Sequence, residues 1–189
     1  MGALLPSQRF AVVDVETSGL DPHRHRLLQV GVVVVDGRGT LIDRWSSIVA
    51  PSQRWFFRVG PTRIHGITRS RARRGEPLAQ VLQRLQDSLA DARFVGHNAA
   101  FDVAFLQRAA TRAGVPLVIE APVCTLALSR RLDPDRQLRH RLGDLCERYD
   151  VQLVQPHDAL ADATATAAVL PHLLRANGIT SLDQLPVAS

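Results

Sequence analysis

Up to Pro51 the apolar positions fall in short dense runs, and beyond it they recur at helical spacing. Residues 9–16 read as a strand. LLQVGVVVVD (27–36) is a near-continuous apolar run, as a strand covered on both faces would be. TLIDRWSSIVAP (40–51) is a third strand, ended by Pro51, and DGRG (36–39) suits a tight hairpin turn before it. In EPLAQVLQRLQDSLA (76–90), Leu78, Val81, Leu82, Leu85 and Leu89 form a helical stripe. RFVGH (93–97) is a short strand. Asn98 is placed to cap a helix that runs to about Arg112 and is stopped by Gly114 and Pro116. PLVIEAPV (116–123) holds another strand, with a helix following through Leu128. LRHRLGDLCERYD (138–150) and DALADATATAAVL (158–170) are helical, and Pro171 ends or kinks the second. Strands first and α/β alternation afterwards predict an α/β fold, a mixed sheet covered by helices. No linker divides the chain, so residues 1–189 read as one domain with its core at about 9–175.

Four acids on three elements interrupt this pattern. In FAVVDVETSGL (10–20), Asp14 and Glu16 point to the same face of a strand and Val13 and Val15 to the other. Asp102 shares its helix face with Phe105, Leu106 and Ala109, and Asp162 shares one with Ala165, Thr166 and Val169. A solvated acid has no reason to lie on a packed stripe, and an unpaired buried carboxylate is very costly. His157, five residues before Asp162, is placed to face the same cleft. Singly, each has an ordinary explanation: an exposed acid, an Arg partner, a helix dipole. Together they suggest an all-oxygen site for Mg²⁺ or Mn²⁺. Two such ions about 4 Å apart suit in-line displacement at phosphorus.

Charge and composition narrow the picture without deciding it. The net charge is +5, and all 23 basic residues are Arg, since the chain has no Lys. Arg forks onto phosphates, but an Arg-rich codon usage explains the count equally well. Cys124 and Cys146 form no CxxC pair, so a zinc site has no support and two reduced thiols are expected. No apolar stretch approaches the ~20 residues of a membrane span. MGALLPSQRF is too short and weakly apolar for a secretory signal, and Pro6 occupies the position where myristoylation wants Ser or Thr. A cytoplasmic protein with no membrane partner is the expectation.

With these residues in hand, the chain resembles the DEDDh, or DnaQ-like, family of 3′–5′ exonucleases. DVETSGL, HNAAFD and HDALADA match the family's three motifs in order, and TRIHGIT (62–68) matches a further common segment. The likeness runs from about residue 10 to 174, and the motifs look most like those of proofreading members such as the epsilon subunit of bacterial DNA polymerase III. It implies a ribonuclease H-like fold: a five-stranded mixed sheet, its first three strands antiparallel, flanked by helices. It implies two divalent cations, Mg²⁺ or Mn²⁺. Asp14, Glu16 and Asp162 would hold the first, Asp14 would also reach the second, and Asp102 would support that one partly through water. His157 corresponds to the general base, a role imidazole suits near neutral pH. Thr17 and the backbone at Ser18 and Gly19 would contact the terminal nucleotide, with Leu20, Ile64 and Phe101 packed against the last bases.

The resemblance therefore implies release of nucleoside 5′-monophosphates from a free 3′ end, single-stranded, with DNA favoured and a DNA polymerase as a possible associate. Two alternatives stay open: RNA or short oligonucleotides as substrate, and a non-catalytic nucleic-acid-binding module. The chain after Leu174 shows no recognisable polymerase-docking motif. Two stretches depart from the family pattern. Trp55, Phe56 and Phe57 are either a stacking platform or local packing. RSRARRGEP (69–77), with four Arg between 69 and 74, reads as a solvated loop.

Overall fold

Strand β1 (Arg9–Thr17) lies at the centre of a five-stranded sheet of order β3-β2-β1-β4-β5. The computed structural model describes residues 7–52 and 57–186; Trp55, Phe56 and the opening residues 1–6 lie outside these. Strands β2 (Leu27–Asp36) and β3 (Leu41–Ile48) continue β1 as an antiparallel meander. The turn between them is closed by the Gly39 N–H on the Asp36 carbonyl, 2.9 Å. Short helices α1 (Thr62–His65) and α2 (Arg69–Arg73) lead into α3 (Leu78–Leu89). Strand β4 (Ala92–Gly96) then pairs parallel to β1, and β5 (Val123–Cys124) parallel to β4, with α4 (Ala99–Ala113) between them. Helices α5 (Thr125–Arg131), α6 (Leu142–Arg148) and α7 (Ala159–Ala176) complete the chain, followed by a 3₁₀ turn at Leu182–Gln184. This is the ribonuclease H-like arrangement.

The alternation along β1 decides which helix covers which face. Ala11, Val13 and Val15, with Val30, Val32 and Val34 of β2, pack against α3 and α4. Phe10 and Val12, with Val33 and Val35, pack against α5, α6 and α7. Each fully buried side chain of this kind is worth about 1.5–3 kcal/mol of transfer free energy. Asp14 and Glu16 continue the second face. Pairing of β1 with β4 stops at Val12–Val95, so β1 outruns its parallel neighbour. The two acids therefore stand near the carboxyl end of β1 and past the end of β4, in the crevice where open α/β sheets bind ligands.

Several local expectations are corrected. The arginines of 69–73 are helical: the Thr68 hydroxyl accepts the Arg71 N–H and Ala72 is fully buried beneath them. Residues 116–122 are not strand, and only Val123–Cys124 joins the sheet. Asn98 occupies the position before α4 in a left-handed conformation (φ 69°), but its side chain makes no capping bond. Helix α7 runs through Pro171 to Ala176, because Leu170, Leu173 and Leu174 are buried around that turn. Their packing outweighs the ~3 kcal/mol cost of an internal proline. Cys124 and Cys146 are free and buried. Among the described residues no helix is long and apolar enough to cross a membrane.

Candidate active site

Gly31 sets the geometry of the crevice. It pairs directly with Asp14 across β1 and β2. A Cβ at this position would lie 2.3 Å from the carbonyl of Ala159, so only glycine lets α7 start against the sheet. Asp158 fixes that start. One carboxylate oxygen accepts the N–H groups of Leu160 (3.1 Å) and Ala161 (3.2 Å), and the other accepts the Gln29 amide of β2 at 3.1 Å. Gln29 in turn stands opposite Glu16. One turn into α7, Asp162 is thus delivered to the carboxylates of β1. His157 precedes the helix with φ 68°, and its backbone N–H donates to Asp162 Oδ2 at 3.1 Å.

Asp102 arrives from the other side of the sheet. It lies in the first turn of α4, is 3% exposed, and accepts the Val15 backbone N–H. Phe105, Leu106 and Ala109 are buried on its face of the helix, as the periodicity predicts. Gly96 leaves the space: a Cβ there would come within 3.2 Å of Asp102 Oδ2.

The four acids and His157 line one cavity of about 410 Å³, together with Thr17, Gly19, Leu20, Ile64 and Phe101. No Arg lines it among the described residues. Burial, and then the charges of Asp102, Asp162, Glu16 and Asp158, hold the Asp14 carboxyl well above the usual carboxylate range. Burial first, then Asp162 and Asp158, push Glu16 up to about 8. Burial likewise raises Asp102 and Asp162. Ligand atoms of Glu16, His157 and Asp162 lie within 4.8 Å of one another, close enough for these three to hold one ion. Asp162 Oδ1 is buried with no hydrogen-bond partner. Crowded acids, an orphaned carboxylate oxygen and no guanidinium are the donor set of a hard divalent cation.

Leu20 and Ile64 stand at the rim, 83% and 53% exposed. Neither side chain belongs to the core. Phe101 is half-buried and tilted against Phe105, ring centroids 4.9 Å apart. The Thr17 hydroxyl donates to the Gly19 carbonyl at 2.7 Å, shaping the turn. Ser18 does not line this cavity: its N–H donates to the Arg26 carbonyl and its hydroxyl accepts the Arg26 N–H, both at 2.9 Å.

Two histidines of the cavity wall escape a reading of the sequence. His65 is buried between the Val59 carbonyl (2.9 Å) and the Ile67 N–H (3.0 Å), which pins the TRIHGIT segment. His97 sits between the Thr125 hydroxyl at 3.0 Å and the His140 backbone, and burial pushes its pKa down to about 4. Both belong to motifs visible in the sequence, but a partner far along the chain is not visible there. Gly31 and Asp158 gave no signal either, because close backbone approach and capping depend on how α7 docks.

A sheet with acids gathered beyond its parallel strand ends, faced by an acid from a helix on either side, defines a ribonuclease H-like nuclease scaffold. The chain belongs to the exonuclease family, in its DEDDh, DnaQ-like branch: the family model described as "Exonuclease" matches residues 11–170. This is a family of divalent-metal-dependent enzymes. The chain is 34% identical over 186 residues to DNA polymerase III PolC-type of Streptococcus suis, which covers 96% of this chain and 12% of the relative. It is 31% identical over 172 residues to the PolC-type polymerase of Bacillus cereus, 91% of this chain and 12% of that protein. The chain thus spans about one-eighth of the curated relatives it matches. Among solved structures, E. coli exonuclease I in complex with a dT13 oligonucleotide shares the fold, with TM-score 0.78 and 22% identity over 90% of this chain and 42% of that one. Exonuclease X in complex with 5′ overhanging duplex DNA superposes with TM-score 0.70 at 25% identity, over 94% of this chain and 96% of that one.

Proposed function

We propose that this chain is a single-domain 3′–5′ exonuclease that removes nucleoside 5′-monophosphates from the free 3′ end of single-stranded DNA. One observation carries the reading: Asp14, Glu16, Asp102, Asp162 and His157, from three separate parts of the chain, share one cavity that no guanidinium of the described residues lines. The PolC-type relatives and the dT13 and overhanging-duplex complexes of the structural neighbours support DNA as the substrate. The same relatives support a replication or repair setting, a DNA polymerase as associate and a cytoplasmic location.

Asp14, Glu16 and Asp162 would hold one Mg²⁺ or Mn²⁺, and Asp14 with Asp102 a second. Such cations lower the pKa of a bound water and offset charge on a leaving oxygen. His157 accepts the proton of the water that attacks the terminal phosphodiester, and the strand leaves with a 3′ hydroxyl. The Asp162–His157 backbone bond holds the turn that presents the imidazole. Leu20, Ile64 and Phe101 grip the terminal bases by contact with their faces, which any sequence satisfies. Thr17 and Gly19 shape the turn under the last nucleotide.

The test is one gel. Labelled single-stranded DNA, mismatched duplex and RNA are incubated with Mg²⁺ or Mn²⁺, with and without chelator. Stepwise shortening of DNA from the 3′ end, abolished by chelator, is expected. Faster loss of RNA would move the substrate to RNA, and binding without cleavage in any arm would make the chain a nucleic-acid-binding module.

A further inference from the structure

A second cavity, of about 540 Å³, opens beside the first and is not used by the chemistry above. It lies between the β1–β2 loop and residues 49–52 and 57–60. The two cavities share a wall. Ser18 and Gly60 line the second, while Thr17, Gly19 and Pro61, their chain neighbours, line the first. Gly60 is pressed so closely on Ser18 that a Cβ would lie 2.3 Å from the Ser18 carbonyl. The floor is apolar, with Leu28 and Val49 buried and the half-buried Phe57 packed against the cluster of Leu28, Val59, Ile67 and Ala72. The Arg69 guanidinium stands 5.3 Å from the Phe57 ring centroid. The rim is cationic: Arg24, Arg26 and Arg58 are exposed and line it. No carboxylate lies within ion-pair distance of these three among the described residues. No Asp or Glu among the described residues lines the cavity.

The adjoining cavities therefore have opposite electrostatic character. The first gathers acids and needs cations; the second gathers guanidiniums and needs anions. Its volume falls in the ~300–1,000 Å³ range of ligand sites. Guanidiniums over an apolar floor with an aromatic ring form the recurring platform for single strands, phosphates on the Arg and bases on the ring. We infer that this groove binds the stretch of single-stranded nucleic acid lying 5′ to the terminal nucleotides. This rests on the exonuclease reading for the strand's direction, though not for the groove's chemistry. The groove gives the protein a preference for strands long enough to reach it.

The experiment measures binding and cleavage separately. Fluorescein-labelled oligo-dT trimer and dodecamer are titrated by anisotropy in chelator, over a range of salt, with the parent protein and with Arg24→Gln/Arg58→Gln. The parent is expected to bind the dodecamer more tightly than the trimer. In the double variant the ratio of the two dissociation constants should fall on the order of tenfold. Its salt slope for the dodecamer should drop by roughly 1.4, about 0.7 per lost phosphate contact. An unchanged ratio and slope would overturn the groove. If the parent binds the dodecamer as described but cleaves no oligonucleotide with Mg²⁺ or Mn²⁺, the exonuclease reading fails and the groove stands.

Discussion

Replacing Glu16 by Gln should make the cation-free protein more stable at alkaline pH, although it removes a proposed cation ligand. Glu16 keeps its proton up to about pH 8 in the fold, against 4.5 for an ordinary glutamate. Between those values the folded chain binds more protons than the unfolded one. Stability therefore falls as pH climbs through the interval and levels off above it. At about 1.4 kcal/mol per tenfold change in acidity, the whole gap is on the order of 5 kcal/mol. Glu16 is only half-buried, and solvent screening reduces this to roughly 1–2 kcal/mol. Gln is neutral at every pH and escapes that loss. For a chain of this size 1 kcal/mol moves the melting temperature by about 2–4 °C. Thermal unfolding in chelator from pH 5 to 9 should thus show the parent losing stability with pH faster than Glu16→Gln, with the variant melting roughly 2–8 °C higher at pH 9. Adding Mg²⁺ or Mn²⁺ should raise the parent's Tm more than the variant's. A variant that melts at or below the parent in chelator at pH 9, or a parent flat between pH 5 and 8, would refute the claim that the acids are held together against their own repulsion.

Asp14→Ala should abolish metal-dependent mononucleotide release in a quenched-flow or gel assay; retained activity removes Asp14 from the centre. His157→Ala should lower kcat by about 10²–10⁴ with a much smaller change in Mn²⁺ affinity by calorimetry; an unaltered kcat assigns the base elsewhere. Gly31→Ala would force α7 off the sheet, costing about 1–3 kcal/mol by denaturant unfolding and most of the activity; a fully active, equally stable variant contradicts the contact seen at Ala159. Arg112 of α4 donates to the carbonyls of Pro22, His23 and His25 at 2.7–2.9 Å, and so fixes the loop that carries Leu20. Arg112→Met should raise KM for single-stranded DNA more than it lowers kcat, and a KM within twofold of the parent would leave the clamp purely structural.

The sequence announces those parts of the molecule that are repetitive or chemically odd. β2 is bounded at 27 and 36 because nine of its ten positions are buried, and a run that apolar admits no other reading. Asp102 and Asp162 betray themselves by sitting among Phe105, Leu106, Val169 and Thr166, all buried. The helix at Arg69–Arg73 is hidden for the opposite reason. It has a single buried residue, Ala72, so no stripe exists to detect, and its stability comes from the Thr68 cap and its packing. At 116–122 the apolar letters suggest a strand, but Val118 is 57% exposed and Pro116 and Pro122 bracket the stretch. Val123 and Cys124 pair with β4 at Val95 and Gly96. The site is half readable in the same sense. Its ligands are motif letters, while Gly31, Asp158, His65 and His97 matter through neighbours that only the folded chain supplies.

A pocket of crowded carboxyls with raised proton affinity, set in an otherwise basic protein, has a kinetic corollary. On the proposed reading, acids that hold their protons in the absence of metal give an incoming phosphodiester no cation to meet, even as the arginines of the neighbouring groove attract the rest of the strand. Ions would then have to load and displace those protons before cleavage, and a DNA terminus that arrives first would be held nearby without being cut.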